Sequence, residues 1–262
     1  LCVSDCPSRI IDEDGGKFPF VSAEKEGNCL ECQHCLAICP TAAISVFDLN
    51  PEASLPVSAD VWPRLEPMTH LMRGRRSVRQ YCDRNVDSEL IGHLLATVAH
   101  APTGVNNRLL TFTVIDDKGE MQRLREKVMQ VLVEAAAKGR IPERFPYFQK
   151  AISAYVEHQA DVIFRGAPHV LIVSTPSHSP CGTEDVPIAL AYFELLAQTA
   201  GLGTVWCGFL KLAFESVPEL KSLVGLPSGH HYYAMLFGHP AIHYARTVQR
   251  DHAATIRHVK IG

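Results

Sequence analysis

Between residues 88 and 99 apolar side chains recur at Leu90, Ile91, Leu94, Leu95 and Val98. That three-and-four spacing lays them on one helix face, and Asp87 stands where the N-cap belongs. The same kind of pattern predicts helices over Met68–Arg73, Glu120–Lys138 and Phe148–Phe164, and a long apolar helix over Asp185–Thr199 that Gly201 stops. Alternating or continuously apolar runs at Leu109–Ile115, His169–Ser174, Thr204–Cys207 and Tyr232–Phe237 read as strands. Helices outnumber strands without alternating strictly with them. The expectation is therefore an α+β fold with a mixed or antiparallel sheet flanked by helices, not a doubly wound one. Periodicity fades from Val46 to Pro67, where Pro51, Pro56, Pro63 and Pro67 mark a linker. The chain thus divides into a small domain over 1–55, a linker over 56–66 and a main domain over 67–262.

Composition narrows this picture. With 262 residues, 47% apolar and 20% charged, the chain can bury a substantial core and is neither a disordered tail nor a fibrous rod. The apolar-rich stretch Leu195–Leu210 is interrupted by Gln198, Gly201 and Gly203 and is shorter than the roughly 20 residues a bilayer requires, so no membrane helix is expected. Charge is uneven: residues 1–55 hold nine acids against Arg9, Lys17 and Lys25, whereas the rest carries a net +3. An acidic head on a mildly basic body lacks the basic footprint of a nucleic-acid partner. No leader is visible and the cysteines suit a reducing compartment, which reads as cytoplasmic.

The nine cysteines are the sharpest signal. Six lie within the first 39 residues, a distribution unlike the disulfide framework of a small secreted domain. Cys29, Cys32, Cys35 and Cys39, followed by Pro40, form C-x2-C-x2-C-x3-C-P. Cys2 and Cys6, followed by Pro7, repeat the tail of that motif. This spacing resembles the bacterial two-cluster 4Fe-4S ferredoxins, in which three thiolates wrap one cluster and the fourth serves the other. Crossed ligation makes one complete set from Cys29, Cys32, Cys35 and Cys6. Cys2 and Cys39 would belong to a second set, whose other two ligands are expected about ten residues upstream of the first residue. The alternative is a structural zinc site, although zinc modules usually pair two C-x2-C knuckles across a longer gap. His34, within the loop, reads as a packing or hydrogen-bonding residue.

In the body no G-x-G-x-x-G follows a strand and no G-x4-G-K-[ST] occurs. Arg73, Arg75, Arg76 and Arg79 crowd around Ser77 within seven residues. Guanidinium forks suit phosphate oxygens, though a solvated basic face would look the same. Arg75-Arg76-Ser77-Val78-Arg79, Ala101-Pro102-Thr103-Gly104-Val105-Asn106, Gly201 to Gly208 (GLGTVWCG) and Gly238-His239-Pro240 with Arg250 downstream follow one another in order. This series resembles the nitroreductase family, and with the cysteine head the chain is similar to that family's ferredoxin-fused members.

The resemblance implies an FMN-binding homodimer with the flavin at the interface. Arg75, Arg76, Ser77 and Arg79 would hold the phosphate, ribityl chain and pyrimidine edge. Pro102, Thr103, Gly104 and Asn106 would come from the other subunit to cover the isoalloxazine. Cys207 and Gly208 would offer backbone N–H groups to the flavin, and Arg250 would be a second phosphate cation. Where the family often reads N-x-Q-P-W, this chain has Asn106-Asn107-Arg108-Leu109-Leu110, so the shape of the substrate pocket does not carry over. Cys207 also admits a reactive-thiol reading, against the usual inertness of buried thiols. No H-E-x-x-H and no G-x-S-x-G occurs, and His230 and His231, adjacent on a strand, should face opposite ways.

The implied activity is an FMN-dependent oxidoreductase passing electrons between tethered 4Fe-4S clusters, flavin and a conjugated small-molecule acceptor of nitroaromatic or quinone type. An external low-potential donor would feed it. A flavin and iron–sulfur electron carrier for a partner protein, a redox sensor, and a reductive dehalogenase of the same family remain as alternatives. The direction of electron flow and the use of NAD(P)H are not written in the sequence.

Overall fold

The computed structural model describes residues 1–250 and 253–262, folded as two compact units. One comprises Leu1–Pro63 together with Pro102–Arg108 and Ser179–Cys181; the other comprises Arg64–Ala101, Leu109–His178 and Gly182–Gly262.

In the first unit, short helices α1 (Cys2–Asp5), α2 (Ala23–Glu26) and α3 (His34–Ile38) accompany a two-stranded hairpin, β1 (Ile11–Glu13) and β2 (Pro19–Val21). The hairpin pairs antiparallel with Ile11 opposite Val21. It turns at Asp14, whose carboxylate accepts the N–H groups of Gly16 and Phe18 at 2.9 Å. The buried apolar side chains of Leu1–Pro63, among the described residues, are Cys2, Ile10 and Leu36. So small a core cannot order some sixty residues by burial alone, and domains of this kind are usually stapled by disulfide or metal. No cysteine here is in a disulfide.

The second unit contains α4 (Leu65–Gly74), α5 (Ser88–Val98), β3 (Thr111–Ile115), α6 (Lys118–Ala137), α7 (Pro146–His158), β4 (His169–Pro176), α8 (Gly182–Thr199), β5 (Gly203–Trp206), α9 (Gly208–Ser216) and β6 (His230–Gly238). Caps written in the sequence start two of these helices. Asp87 accepts from the N–H groups of Glu89 and Leu90 at 2.9 and 3.1 Å, and Asp117 accepts from Gly119 and Glu120 at 2.8 and 3.0 Å.

The four strands run in the order β3-β4-β6-β5, antiparallel throughout, so the sheet is not mixed; a lone parallel bridge joins Ser77 to Thr204. Strand alternation sends Val170, Ile172, Ala234 and Leu236 to a core with Phe148, Phe164 and Phe214 from the α6, α7 and α9 side. Leu171, Val173, Met235 and Phe237 join Leu94, Leu190 and Phe193 from α5 and α8 on the opposite face. Being covered on both faces explains why β4 reads as an unbroken apolar run.

The helix expected over Phe148–Phe164 is corrected: α7 ends at His158 because Gln159 turns left-handed, with φ 53°. The chain then coils around Asp161, which accepts from the N–H groups of Phe164 and Gly166 at 2.8 Å and pairs with Arg125. Helix α4 begins at Leu65, inside the expected linker, and the head hairpin and α9 had no counterpart in the periodicity.

Candidate functional site

The four thiols expected to act together, Cys6, Cys29, Cys32 and Cys35, line one cavity of about 570 Å³ in the head. The chain wraps round it through Glu31 and Gln33, both left-handed at φ 51° and 61°. Burial pushes the Cys35 thiol above its ordinary value, with Cys32 and Cys29 close enough to add to the shift. Among the described residues no three His, Cys, Asp or Glu side chains converge tightly enough to hold a single metal ion. Cys2 and Cys39 do not line this cavity. Cys2 is buried, and Cys39 is held down to about 7, first by the Thr41 hydroxyl and then by the Ala43 N–H. His34 lies 3.4 Å from Asp5, consistent with a hydrogen-bonding role.

The arginine segment 75–79 follows α4 and crosses the edge of β5. Val78 donates its N–H to the Thr204 carbonyl at 2.9 Å. That approach requires a glycine at 203, since a Cβ there would stand 2.6 Å from Val78 Cγ2. Arg75 pairs with the buried Glu194 at 3.0 Å, which neutralises a carboxylate that would otherwise be buried unpaired. This pairing holds the segment down. Arg76 donates from Nη2 to the Arg73 carbonyl at 2.8 Å, while its Nε is buried with no acceptor among the described residues. Ser77 carbonyl oxygen accepts from Arg79 at 3.3 Å and from the Tyr244 hydroxyl at 3.4 Å.

Arg79 lines a cavity of about 430 Å³ together with Arg165, Trp206, Cys207, Gly208 and Lys211. Cys207 and Gly208, the residues expected to offer backbone N–H groups to a flavin, both line this cavity, and the Cys207 N–H already has a partner in the sheet. It donates to the Ala234 carbonyl at 2.8 Å, continuing the β5–β6 pairing by one residue. Gly208 instead heads α9, and a helix's first turn leaves its N–H groups without intrahelical partners. The Cys207 side chain donates to the Ile163 carbonyl, and burial pushes its thiol up to about 12. It is therefore a neutral packing group, not a nucleophile. Arg165, at φ 54°, and Lys211 add charge to the cavity that sequence reading missed. Arg165 directly follows the segment read as helix, and no local signal marked it. A second cavity of about 580 Å³ shares Trp206, Lys211 and Tyr233 and is also lined by His230, His231 and Tyr232. The Trp206 and Tyr233 rings meet edge to face at 5.4 Å.

Loop 102–108 belongs to the head unit. Val105, Asn106 and Arg108 are left-handed at φ 50°, 54° and 50°, each costing about 1–3 kcal/mol for a residue other than glycine. The conformation is held by Asn107 Nδ2 donating to Ser179 Oγ at 3.0 Å and Arg108 N–H donating to Thr103 Oγ1 at 3.1 Å. Gly104 lies so close to Cys181 that a Cβ would meet its sulfur at 2.4 Å. Asn106 donates from Nδ2 to the Leu30 carbonyl at 2.8 Å, a hydrogen bond made within the head. Pro102 is exposed, as is Arg250, whose carbonyl accepts from Ala253 N–H at 3.1 Å.

Residues 72–239 match the family model for the nitroreductase family. The chain is 28% identical over 195 residues to an iodotyrosine deiodinase of Danio rerio, covering 70% of this chain and 63% of that protein, so it spans a little under two thirds of that relative. It is 25% identical over 166 residues to an iodotyrosine deiodinase of Thermotoga neapolitana, covering 60% of this chain and 80% of that one. In fold it is similar to an FMN-bound nitroreductase from Bacteroides fragilis, with TM-score 0.58 and 22% identity over 74% of this chain and 98% of that one. Among the described residues no helix is long and apolar enough to cross a membrane.

Proposed function

Because the chain belongs to the nitroreductase family of oxidoreductases, we propose that it is an FMN-dependent reductase whose cysteine head holds a 4Fe-4S cluster exchanging electrons with the flavin. Its acceptor on this reading is a conjugated small molecule, and the working form is a homodimer. The observation that carries the flavin assignment is the buried Arg76 Nε. A buried donor left unsatisfied costs about 1–3 kcal/mol, and a phosphate oxygen supplied by a ligand removes that cost.

The residues fit the group in other respects. Arg76, Ser77 and Arg79 would hold the phosphate, ribityl chain and pyrimidine edge, and Arg75 anchors the segment through Glu194. Gly208, at the start of α9, brings the positive end of a helix to the cavity, where it favours negative charge. Arg79, Arg165 and Lys211 add three cations. Trp206 and Tyr233 offer flat walls to a conjugated acceptor. Pro102, Thr103 and Gly104 would cover the flavin from the partner subunit, and Arg250 would supply a further phosphate cation. Bound FMN supplies the two-electron chemistry, while the protein orients it, sets its charge environment and limits water.

The head fits a cluster by its donor set. Four soft thiols surround one cavity in a unit too poor in core to be ordered otherwise, and thiolates favour iron–sulfur clusters. A cluster supplies one-electron chemistry. On this reading Cys2 and Cys39 would serve a second cluster.

The test is anaerobic purification with FMN, iron and sulfide counted per chain, followed by turnover of nitroaromatic, quinone and halophenol acceptors under a low-potential donor. About one FMN and about four irons with acid-labile sulfide are expected for one complete thiol set. A folded chain that binds no FMN, or holds zinc in place of iron and sulfide, sinks the reading. The two deiodinase relatives favour one second reading, reductive removal of halide from a halophenol, which the same acceptor panel separates.

A further inference from the structure

Leu30 lies between Cys29 and Cys32, in the turn that gathers the thiols, where Glu31 N–H donates to Cys29 Sγ at 3.4 Å. Its carbonyl accepts the Asn106 side chain at 2.8 Å. At the other end of that hydrogen bond the backbone is left-handed at Val105, Asn106 and Arg108. A β-branched residue such as Val105 enters that region only when its surroundings hold it there. The shape of loop 102–108 is therefore imposed by its contacts, and one of the groups that impose it belongs to the thiol turn.

We propose that filling the Cys6, Cys29, Cys32 and Cys35 site fixes loop 102–108 through the Asn106–Leu30 hydrogen bond, so that cluster loading and FMN binding reinforce one another. Asn106 is then a positioning residue. This rests on the assignments of cluster and flavin made above and adds the coupling between them. With Cys2, Ile10 and Leu36 as its buried apolar residues, the head depends on metal–thiolate bonds for order. When those bonds are absent, the turn carrying Leu30 relaxes, Asn106 loses its acceptor and the left-handed run is released. Linkage makes the effect reciprocal, because whatever the cluster adds to FMN affinity FMN adds to cluster retention.

The experiment compares the full chain and its Asn106→Asp variant, each with iron and sulfide reconstituted and each stripped by chelator. Asp tolerates the left-handed region as Asn does, yet replaces the donor with an oxygen, so the variant isolates the hydrogen bond from the backbone. FMN affinity is read by quenching of flavin fluorescence, and hydrogen exchange is followed in peptides spanning 102–108. Stripping is expected to weaken FMN binding by the parent about tenfold and to speed exchange in the loop. The Asn106→Asp variant should bind weakly in both states, with a loaded-to-stripped ratio near one. Equal affinity in loaded and stripped parent overturns the proposal, as does a stripping effect that persists undiminished in the variant. A chain that takes up no iron and sulfide, or binds no FMN in any state, overturns the underlying assignments as well, and the cofactor count tells that failure apart.

Discussion

Two neighbouring arginines show how much a single residue's surroundings decide. Arg75 and Arg76 are neighbours in sequence, yet one pairs with Glu194 and the other keeps a buried Nε without an acceptor among the described residues. Charge-assisted hydrogen bonds contribute about 1.5–3 kcal/mol, so Arg76→Ala is expected to bind FMN about ten- to a hundredfold more weakly, measured by equilibrium dialysis. Unchanged affinity would show that the orphan donor has another purpose. Cys207 gives the opposite case. With its thiol pushed up to about 12 by burial and donating to Ile163, it should resist iodoacetamide in native protein at pH 8, and peptide mapping should find it labelled only after unfolding. The motif series pointed to both residues as cofactor contacts, but it could not show which N–H or guanidinium already had a partner in the chain. Those commitments come from long-range partners such as Ala234 and Glu194, which no local pattern reveals.

Among the elements, helices with strong period and an explicit cap were legible. Asp87 starts α5 as expected, and Asp87→Ala should cost about 1 kcal/mol, lowering the thermal midpoint by about 2–4 °C. No shift in a melting curve would show that the cap hydrogen bonds do not matter. Strand β4 was legible because an apolar run of its length, covered on both faces, has few alternatives. The end of α7 was not, since apolar residues continue through Ile163 and Phe164 into the core while the backbone leaves the helix at Gln159. The head hairpin is too short and too exposed to leave a periodic trace. Gly203 ties elements to the site: its missing Cβ lets β5 lie against Val78, and through Val78 the arginine segment is seated. Overpacking there costs about 1–3 kcal/mol, so Gly203→Ala should lower both the melting temperature and the FMN retained through gel filtration. A destabilised variant with full FMN content would separate the strand edge from the cofactor.

For the whole molecule, pH reports on a buried imidazole. His169 is inaccessible to solvent and accepts the Val86 N–H at Nε2, so burial holds its pKa below the ordinary 6.5, with Asp116, Asp117 and His239 as the titratable groups around it. The unfolded chain takes up a proton there before the folded one does. Its contribution to stability is therefore complete above about 6.5 and is lost as pH falls from that value toward the native-state pKa. Melting temperature should drop between pH 7.5 and 5.5, and less steeply in His169→Gln; equal slopes would place the pH dependence elsewhere.

The segment 75–79 has one more consequence. A sheet's outer strand offers unpaired backbone groups to any other strand that meets it, and β5 is an outer strand of this sheet. Ser77 and Val78 occupy part of that edge from within the same chain, with flanking arginines that repel a second edge. The residues assigned to the cofactor thus also block edge-to-edge strand pairing at β5. Variants that loosen the segment should lose solubility along with flavin, so a poorly expressing protein and a colourless one could share a single cause.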